Sequence, residues 1–343
     1  MILPSGVQLH IETDGRLRCR LDTDHARGWL TPAPDAQCVD ATAVFETEFA
    51  TAIGKGFVAA DAAVLAMMAS HNPRALPLLS WNDEPGPYAT SPAASPAAIS
   101  GSLSGSLLES SPAPSRRLDL YAIVDSAERV RQVVAAGIRT VQLRIKTPEQ
   151  PDAGWHAMLR DEVVHSVAAA NAVGAELFIN DHWQAAADAG AYGVHLGQED
   201  LLALGDSGRT RLRATGMALG ISSHSLWELC RARALAPRYI ACGPVWPTLT
   251  KAMPWRPQGL DNLAWWCGMA DVPVVAIGGI LEAEKVFEAA RCGADGVCIV
   301  RGLGERPQDV VPGLLAALEA GREQARQSPV ATPVWPHPSL SPP

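Results

Sequence analysis

Two carboxylates stand out along the 343-residue chain because each closely follows a short apolar run: Asp181, in Asn180-Asp181-His182, and Asp200, in Gly197-Gln198-Glu199-Asp200. Carboxylates at the ends of neighbouring parallel strands can hold one hard cation, and Mg²⁺ prefers one or two carboxylates, waters and phosphate oxygens over an all-protein cage. Taken singly, either aspartate could instead cap a helix. The pair, with Asn180 beside one of them, favours the metal, whereas Glu199 suits a first helical turn better than a third ligand. Upstream, residues 140–146 read TVQLRIK, an apolar strand delivering Gln142, Arg144 and Lys146 in alternation on one side of the pleat. Charge on a central strand is costly without a partner, and an anion fits, since arginine's planar fork can grip two phosphate oxygens.

Downstream, Gly243-Pro244 opens a loop through Thr248-Leu249-Thr250-Lys251, where hydroxyls and an ammonium could embrace an anion. Gly278-Gly279 closes a later strand and lets the backbone approach a ligand; Val300-Arg301-Gly302 follows the last one. Loops after the seventh and eighth strands of a barrel often bind a monophosphate through backbone N–H groups, although simple turning is the alternative for these glycines. His195, in Gly193-Val194-His195-Leu196, reads as a strand-end histidine with satisfied hydrogen bonds.

The elements that must position these residues are eight strand-like runs, LYAIV, TVQLRI, ELFIN, GVHL, ALGIS, YIACG, VPVVAIG and DGVCIV, alternating with helical patterns such as Ala127 to Ala136, Trp155 to Ala172, Leu226 to Leu235, Glu282 to Cys292 and Pro307 to Gln327. Eight repeats at even spacing predict an α/β protein with a (β/α)8 TIM barrel, with an open doubly wound sheet as the alternative. The barrel should span 117–326. Before it, residues 1–71 form a small α/β extension with little core of its own. Residues 72–116, rich in Pro, Ser, Ala and Gly, read as a flexible linker, and the proline-rich 327–343 as a disordered tail.

A net charge of −8 excludes a broad nucleic-acid surface, so phosphate recognition must be local. With 48% hydrophobic residues, no basic leader and no run of about 18 apolar residues, the chain reads as a soluble cytoplasmic protein without a membrane partner. The seven cysteines, without a Cys-x-x-Cys spacing, read as reduced packing residues.

The motifs QLRIK, NDH, GVHLGQED, GISSH, GPVWPTLTK, AIGGI and ADGVCIV, in this order, resemble the thiamine-phosphate synthase family from Leu120 to about Glu319. The resemblance implies a transferase of thiamine biosynthesis that joins 4-amino-2-methyl-5-(diphosphooxymethyl)pyrimidine to 4-methyl-5-(2-phosphoethyl)thiazole, giving thiamine phosphate and diphosphate by a dissociative reaction. It implies that Gln142, Leu143, Arg144, Ile145 and Lys146 bind the pyrimidine diphosphate together with Asn180, Ser222 and Lys251; that Asp181 and Asp200 hold Mg²⁺; and that Thr248, Leu249, Thr250, Gly279, Val300 and Arg301 bind the thiazole phosphate. Arg144, Lys146, Lys251 and Ser222 would then act in catalysis, without a protein nucleophile. Arg301 stands where the family usually has serine, and Ile145 where it often has glutamate. Barrel synthases of this kind can self-associate, so a homo-oligomer is a further expectation.

Residues 37–69 resemble the C-terminal helices of ribokinase-like hydroxymethylpyrimidine kinases, but the glycine-rich anion hole and its catalytic aspartate are missing, with Asp40 near the place and no glycines flanking it. The extension reads as a degenerate remnant, with oligomerisation as another role. Two rival functions for the whole chain are a thiazole-phosphate tautomerase and a non-catalytic thiazole or thiamine phosphate sensor. Neither needs Gln-x-Arg-x-Lys, two metal aspartates and Thr-x-Thr-Lys together.

Overall fold

In the computed structural model, residues 2–3, 6–12, 16–33, 40–85, 117–248 and 254–340 are described. Period-two patterning makes the first sheet: Val7, Leu9, Leu17, Cys19, Leu21 and Leu30 point inward and are buried. Its strands, β1 (Ile2–Leu3), β2 (Val7–Ile11), β3 (Leu17–Asp22), β4 (Arg27–Thr31) and β5 (Leu78–Leu79), pair antiparallel in sequence order. α1 (Ala41–Gly54) begins at Asp40, whose side chain accepts from Ala43 N and so acts as a helix cap. β5 corrects the expected linker. Residues 72–85 are folded, with Leu76 and Leu79 buried and Ser80 Oγ accepting from Trp29 N at 2.8 Å; residues 86–116 lie outside the described residues.

α2 (Ala59–Ser70) reads AADAAVLAMMAS and has no solvent face, because all but two of its 12 residues are buried. It fits between the small sheet and a barrel helix, so the extension shares one continuous hydrophobic core with the barrel rather than standing on a core of its own. Asp61 is the one charge on this helix. It is 1% exposed and accepts from Trp227 N at 3.0 Å across the junction. Burial, with a smaller contribution from nearby Glu228, raises its pKa to about 7, against the pull of its backbone donors. Between about pH 4 and 7 the folded state therefore binds more protons here than the unfolded state does, and stability falls as pH rises through that window. Asp61→Asn keeps the acceptor and loses the titration. Differential scanning fluorimetry should find its melting temperature above wild type at pH 8 and close to it at pH 5; parallel curves would remove Asp61 as the source.

Eight parallel strands close the barrel: β6 (Asp119–Val124), β7 (Thr140–Leu143), β8 (Glu176–Asn180), β9 (Gly193–Leu196), β10 (Ala218–Ser223), β11 (Tyr239–Cys242), β12 (Val274–Ala276) and β13 (Gly296–Ile299), the last pairing with β6. Closure rules out the open sheet. Around them run α3 (Ala127–Ala135), α4 (Ala153–Asn171), α5 (Trp183–Asp188), α6 (Gln198–Ala203), α7 (Gly205–Ala214), α8 (Leu226–Arg233), α9 (Gly259–Met269), α10 (Ala283–Arg291) and α11 (Pro307–Gln327). α8 meets the extension. Trp81 Nε1 donates to Arg231 O at 2.8 Å, Arg231 to Arg27 O at 2.6 Å, and Arg233 to Leu76 O at 3.0 Å.

The segment expected to be a disordered tail is folded as far as Leu340, and residues 341–343 lie outside the described residues. Trp335 packs edge-on against Phe57 at 6.0 Å with Lys55 Nζ 4.0 Å above its ring, and Ser339 and Leu340 are buried. Proline-rich composition misled here because proline fixes φ in advance and reduces the entropy lost on docking. No helix of the described residues is long and apolar enough to cross a membrane. Six described cysteines are free, five of them buried.

Candidate active site

Parallel closure puts all eight strand C-termini on one rim, which is why residues distant in sequence meet there. Arg144 and Lys146 follow β7, Asn180 ends β8, Asp200 sits in the first turn of α6 after β9, Ser222 lies near the end of β10, Thr248 follows β11, Gly279 follows β12, and Val300 and Arg301 follow β13. In a ring of eight, β7 to β9 stand four places from β11 to β13. The cation and carboxylate set thus occupies one arc, and the glycine and hydroxyl set the opposite arc. Leu249, Thr250 and Lys251 lie outside the described residues.

Expected strand TVQLRIK stops at Leu143. Arg144 and Lys146 are exposed beyond it, so they bear no burial cost as strand residues and face the open rim. Leu143 is buried and Ile145 half-buried against the core. His182 Nε2 reaches Ile145 O at 3.0 Å, which ties the loop after β7 to the loop after β8.

Asp181 is a non-glycine residue at φ +64, a conformation aspartate tolerates better than most side chains. Its N–H donates to His195 O at 3.0 Å and its carbonyl accepts from Trp183 N at 2.8 Å, so the backbone is pinned on both sides of the carboxylate. It does not cap α5, whose N-cap is His182. Asp200 does serve the helix, because one carboxylate oxygen accepts from Gly197 N at 3.0 Å. Partial withdrawal from water, followed by the field of Asp200, pushes the Asp181 carboxyl pKa up, against the opposing fields of His182 and Arg144. Two mutually repelling carboxylates on a solvent-reachable rim fit a divalent cation, which relieves that repulsion. Among the described residues no group of three or more His, Cys, Asp and Glu could hold a metal, so the remaining positions would fall to water and substrate oxygens.

Below the rim, a row of polar atoms crosses the barrel. Gln142, 2% exposed, donates from Nε2 to Tyr121 Oη at 3.1 Å; Tyr121 Oη lies 2.6 Å from Tyr239 Oη, Tyr239 Oη 2.7 Å from His195 Nδ1, and His195 Nε2 2.8 Å from Ser222 Oγ. Gln142 Nε2 only donates, and the arrangement that then gives every buried proton of the row an acceptor runs one way: Tyr121 gives its proton to Tyr239, Tyr239 to His195 Nδ1, and His195 Nε2–H to Ser222. Ser222 is left with its own O–H to offer at the rim. Burial above all, then the charges of Arg144 and His224, lowers the His195 pKa to about 4, which keeps the ring neutral as this polarity requires. Gln142 therefore reaches Ser222 through the barrel interior rather than projecting beside Arg144. His195 is the satisfied histidine expected, while Tyr121 and Tyr239 went unnoticed. They are inward-facing members of apolar runs, and the room for Tyr239 comes from Gly220 on the adjacent strand, where a Cβ would collide with its ring.

On the opposite arc, Gly279 has φ +73, and a Cβ there would lie 2.6 Å from Trp246 Cβ and 2.9 Å from Pro247 O. The β12 and β11 loops close on each other through Val245 N to Ile277 O at 2.8 Å and Trp246 N to Gly278 O at 3.1 Å. Val300 and Arg301 are exposed, and Arg301 opens a short 3-10 turn. Lys285 was missed by sequence reasoning: its Nζ donates to Gly279 O at 3.1 Å and lies over the Trp246 ring. Its helical position in α10 gave no signal.

Residues 120–303 match the family described as thiamine monophosphate synthase. The chain is 44% identical to a thiamine-phosphate synthase of Rhizobium etli over 193 residues, covering 56% of this chain and 90% of the relative. A thiamine-phosphate synthase of Neisseria meningitidis is 47% identical over 197 residues, covering 57% and 91%. Among solved structures, a thiamine phosphate pyrophosphorylase from Pyrococcus furiosus superimposes with a TM-score of 0.51 at 27% identity, covering 60% of this chain and 96% of that one. The match takes in every strand of the closed barrel and the rim residues from Gln142 to Arg301, and the chain belongs to the thiamine monophosphate synthase family.

Proposed function

We propose that this chain is a thiamine-phosphate synthase that condenses 4-amino-2-methyl-5-(diphosphooxymethyl)pyrimidine with 4-methyl-5-(2-phosphoethyl)thiazole, and that the two arcs of the rim divide the substrates between them. The observation that carries this reading is the gathering of Arg144, Lys146, Asp181 and Asp200 at the ends of three consecutive strands, opposite the Thr248, Gly279 and Val300 ends. The first arc takes the diphosphate and the second the thiazole phosphate, so the pyrimidine methylene and the thiazole nitrogen meet above the barrel axis.

In this reading Asp181 and Asp200 hold Mg²⁺, which when bound neutralises charge on the diphosphate. Arg144 grips diphosphate oxygens with two parallel N–H groups, with Lys146 adding a point charge and Lys251 a further one. The methylene–oxygen bond breaks and its electron pair leaves with diphosphate. The electron-rich aminopyrimidine bears the resulting positive charge until the thiazole nitrogen lone pair forms the new C–N bond. Ser222, its O–H free to donate, orients the pyrimidine, and Asn180, Leu143 and Ile145 complete that pocket. Gly279 and the Val300-Arg301 backbone bring N–H groups to the thiazole phosphate, with Thr248, Leu249 and Thr250 from the facing loop. Much of the acceleration comes from holding both reactants in line.

The test is to incubate purified protein with both substrates and Mg²⁺ and to follow both products. Thiamine phosphate and diphosphate should appear in equal amounts, and a chelator should stop both. Tight binding of the thiazole phosphate without turnover would overturn the synthase reading.

A further inference from the structure

The family-matched region ends at residue 303, and beyond it the segment after α11 runs back along α9. Thr332 lies against Gly268 near one end of that helix, and Ser339 lies against Gln258 at the other. His337 is tied in three ways: its N–H donates to Asn262 Oδ1 at 2.8 Å, its carbonyl accepts from Asn262 Nδ2 at 3.0 Å, and its Nε2 donates to Gln258 O at 2.8 Å. Ser339 O accepts from Arg256 N at 2.8 Å. Between them, Trp335 is clamped by Phe57 and Lys55 of the N-terminal extension.

Gln258 is fully buried and leads from this segment to the rim. Its Nε2 donates to His224 O at 2.6 Å, just past β10 and two residues beyond Ser222. Its N–H donates to Pro244 O at 2.7 Å, just past β11 and four residues before Thr248, and Gly259 N follows with a bond to Val245 O at 2.9 Å. Asn262, held by His337, donates to Gln258 Oε1 at 2.9 Å and so fixes which way that amide points. The ends of two rim strands thus hang on one residue: the β10 end on the Gln258 side-chain amide, which the C-terminal segment orients through Asn262, and the β11 end on the Gln258 backbone N–H.

We propose that residues 329–340 are a positioning strap for the active-site rim, acting through Asn262 and Gln258 on the ends of β10 and β11, and anchored by Trp335 to the N-terminal extension. The strap makes no contact with substrate. It sets where Ser222 and the loop carrying Thr248 stand. This rests on the synthase reading of those residues.

The experiment compares the full chain, a chain ending at Ser328 and Asn262→Ala, with kinetics for both substrates, melting temperature, and hydrogen exchange of the peptide spanning 254–262. The truncated chain should keep its far-UV circular dichroism, lose about tenfold or more in kcat/KM, and exchange the Gln258 and Gly259 amides faster. A synthetic peptide of residues 328–343 added in trans should restore both, and Asn262→Ala should fall in the same direction without any truncation. Values within about twofold of the full chain, with unchanged exchange, overturn the strap. So does a truncated chain that unfolds while Asn262→Ala behaves as wild type. A full-length chain that turns over nothing, by contrast, points to the synthase reading, and the exchange arm still judges the strap.

Discussion

Arg144→Ala should lower kcat/KM for the pyrimidine diphosphate by about 10²–10³-fold, the loss that follows removal of one preorganised donor to a developing anion. Steady-state kinetics with the thiazole phosphate saturating would measure it. The fold should hardly notice, because Arg144 is exposed beyond the end of β7 and supports no buried group. Arg144→Lys separates charge from geometry. It keeps the positive charge but loses the paired N–H fork, so it should recover only part of the rate. A variant with wild-type kcat/KM would remove Arg144 from the diphosphate site and leave Lys146 as the cation after β7.

His195→Ala should be the most disruptive single change in the barrel interior. It takes the His195 partner from Tyr239 Oη, which is fully buried and keeps only its contact with Tyr121 Oη, and from Ser222 Oγ, which is half-buried at the rim. Leaving the buried Tyr239 hydroxyl short of one partner costs about 1–3 kcal/mol, on top of the void left by the ring. Thermal denaturation would read the stability loss, and kinetics should show kcat falling as well, since nothing then directs the Ser222 hydroxyl toward the rim. Ser222→Ala is the control. It removes the last hydroxyl of the row, where the side chain is only half-buried, so it should lower kcat with little change in melting temperature. If His195→Ala melts like wild type, the row from Gln142 to Ser222 does not stabilise the barrel, and the polarity argued for Ser222 falls with it.

Much of the site was legible because parallel barrels impose a rule on sequence. Apolar runs of strand length, each followed by a polar motif, place those motifs on one rim whatever their separation, and Arg144, Asp181, Asp200, Gly279 and Val300 all came from that rule. The α/β character of the extension was legible by the same local patterning. Boundaries were less secure: β7 ends at Leu143, three residues short of the alternating pattern, because its partner β6 stops at Val124, whose O takes Arg144 N at 2.7 Å as the last rung, and Lys146 lies in open rim.

What the sequence alone determined was the succession of strands and helices and the chemistry offered at each strand end, since both follow from residue type and short-range period. What only the tertiary structure decided was everything that depends on pairs far apart in the chain. Tyr121 meets Tyr239 across 118 positions, Asp61 meets Trp227 across 166, and His337 meets Asn262 across 75. Composition assigned residues 72–85 and 328–340 to disorder because it weighs only the apolar surface a segment carries; both are ordered because another part of the chain supplies the surface and hydrogen-bond partners that offset their lost entropy.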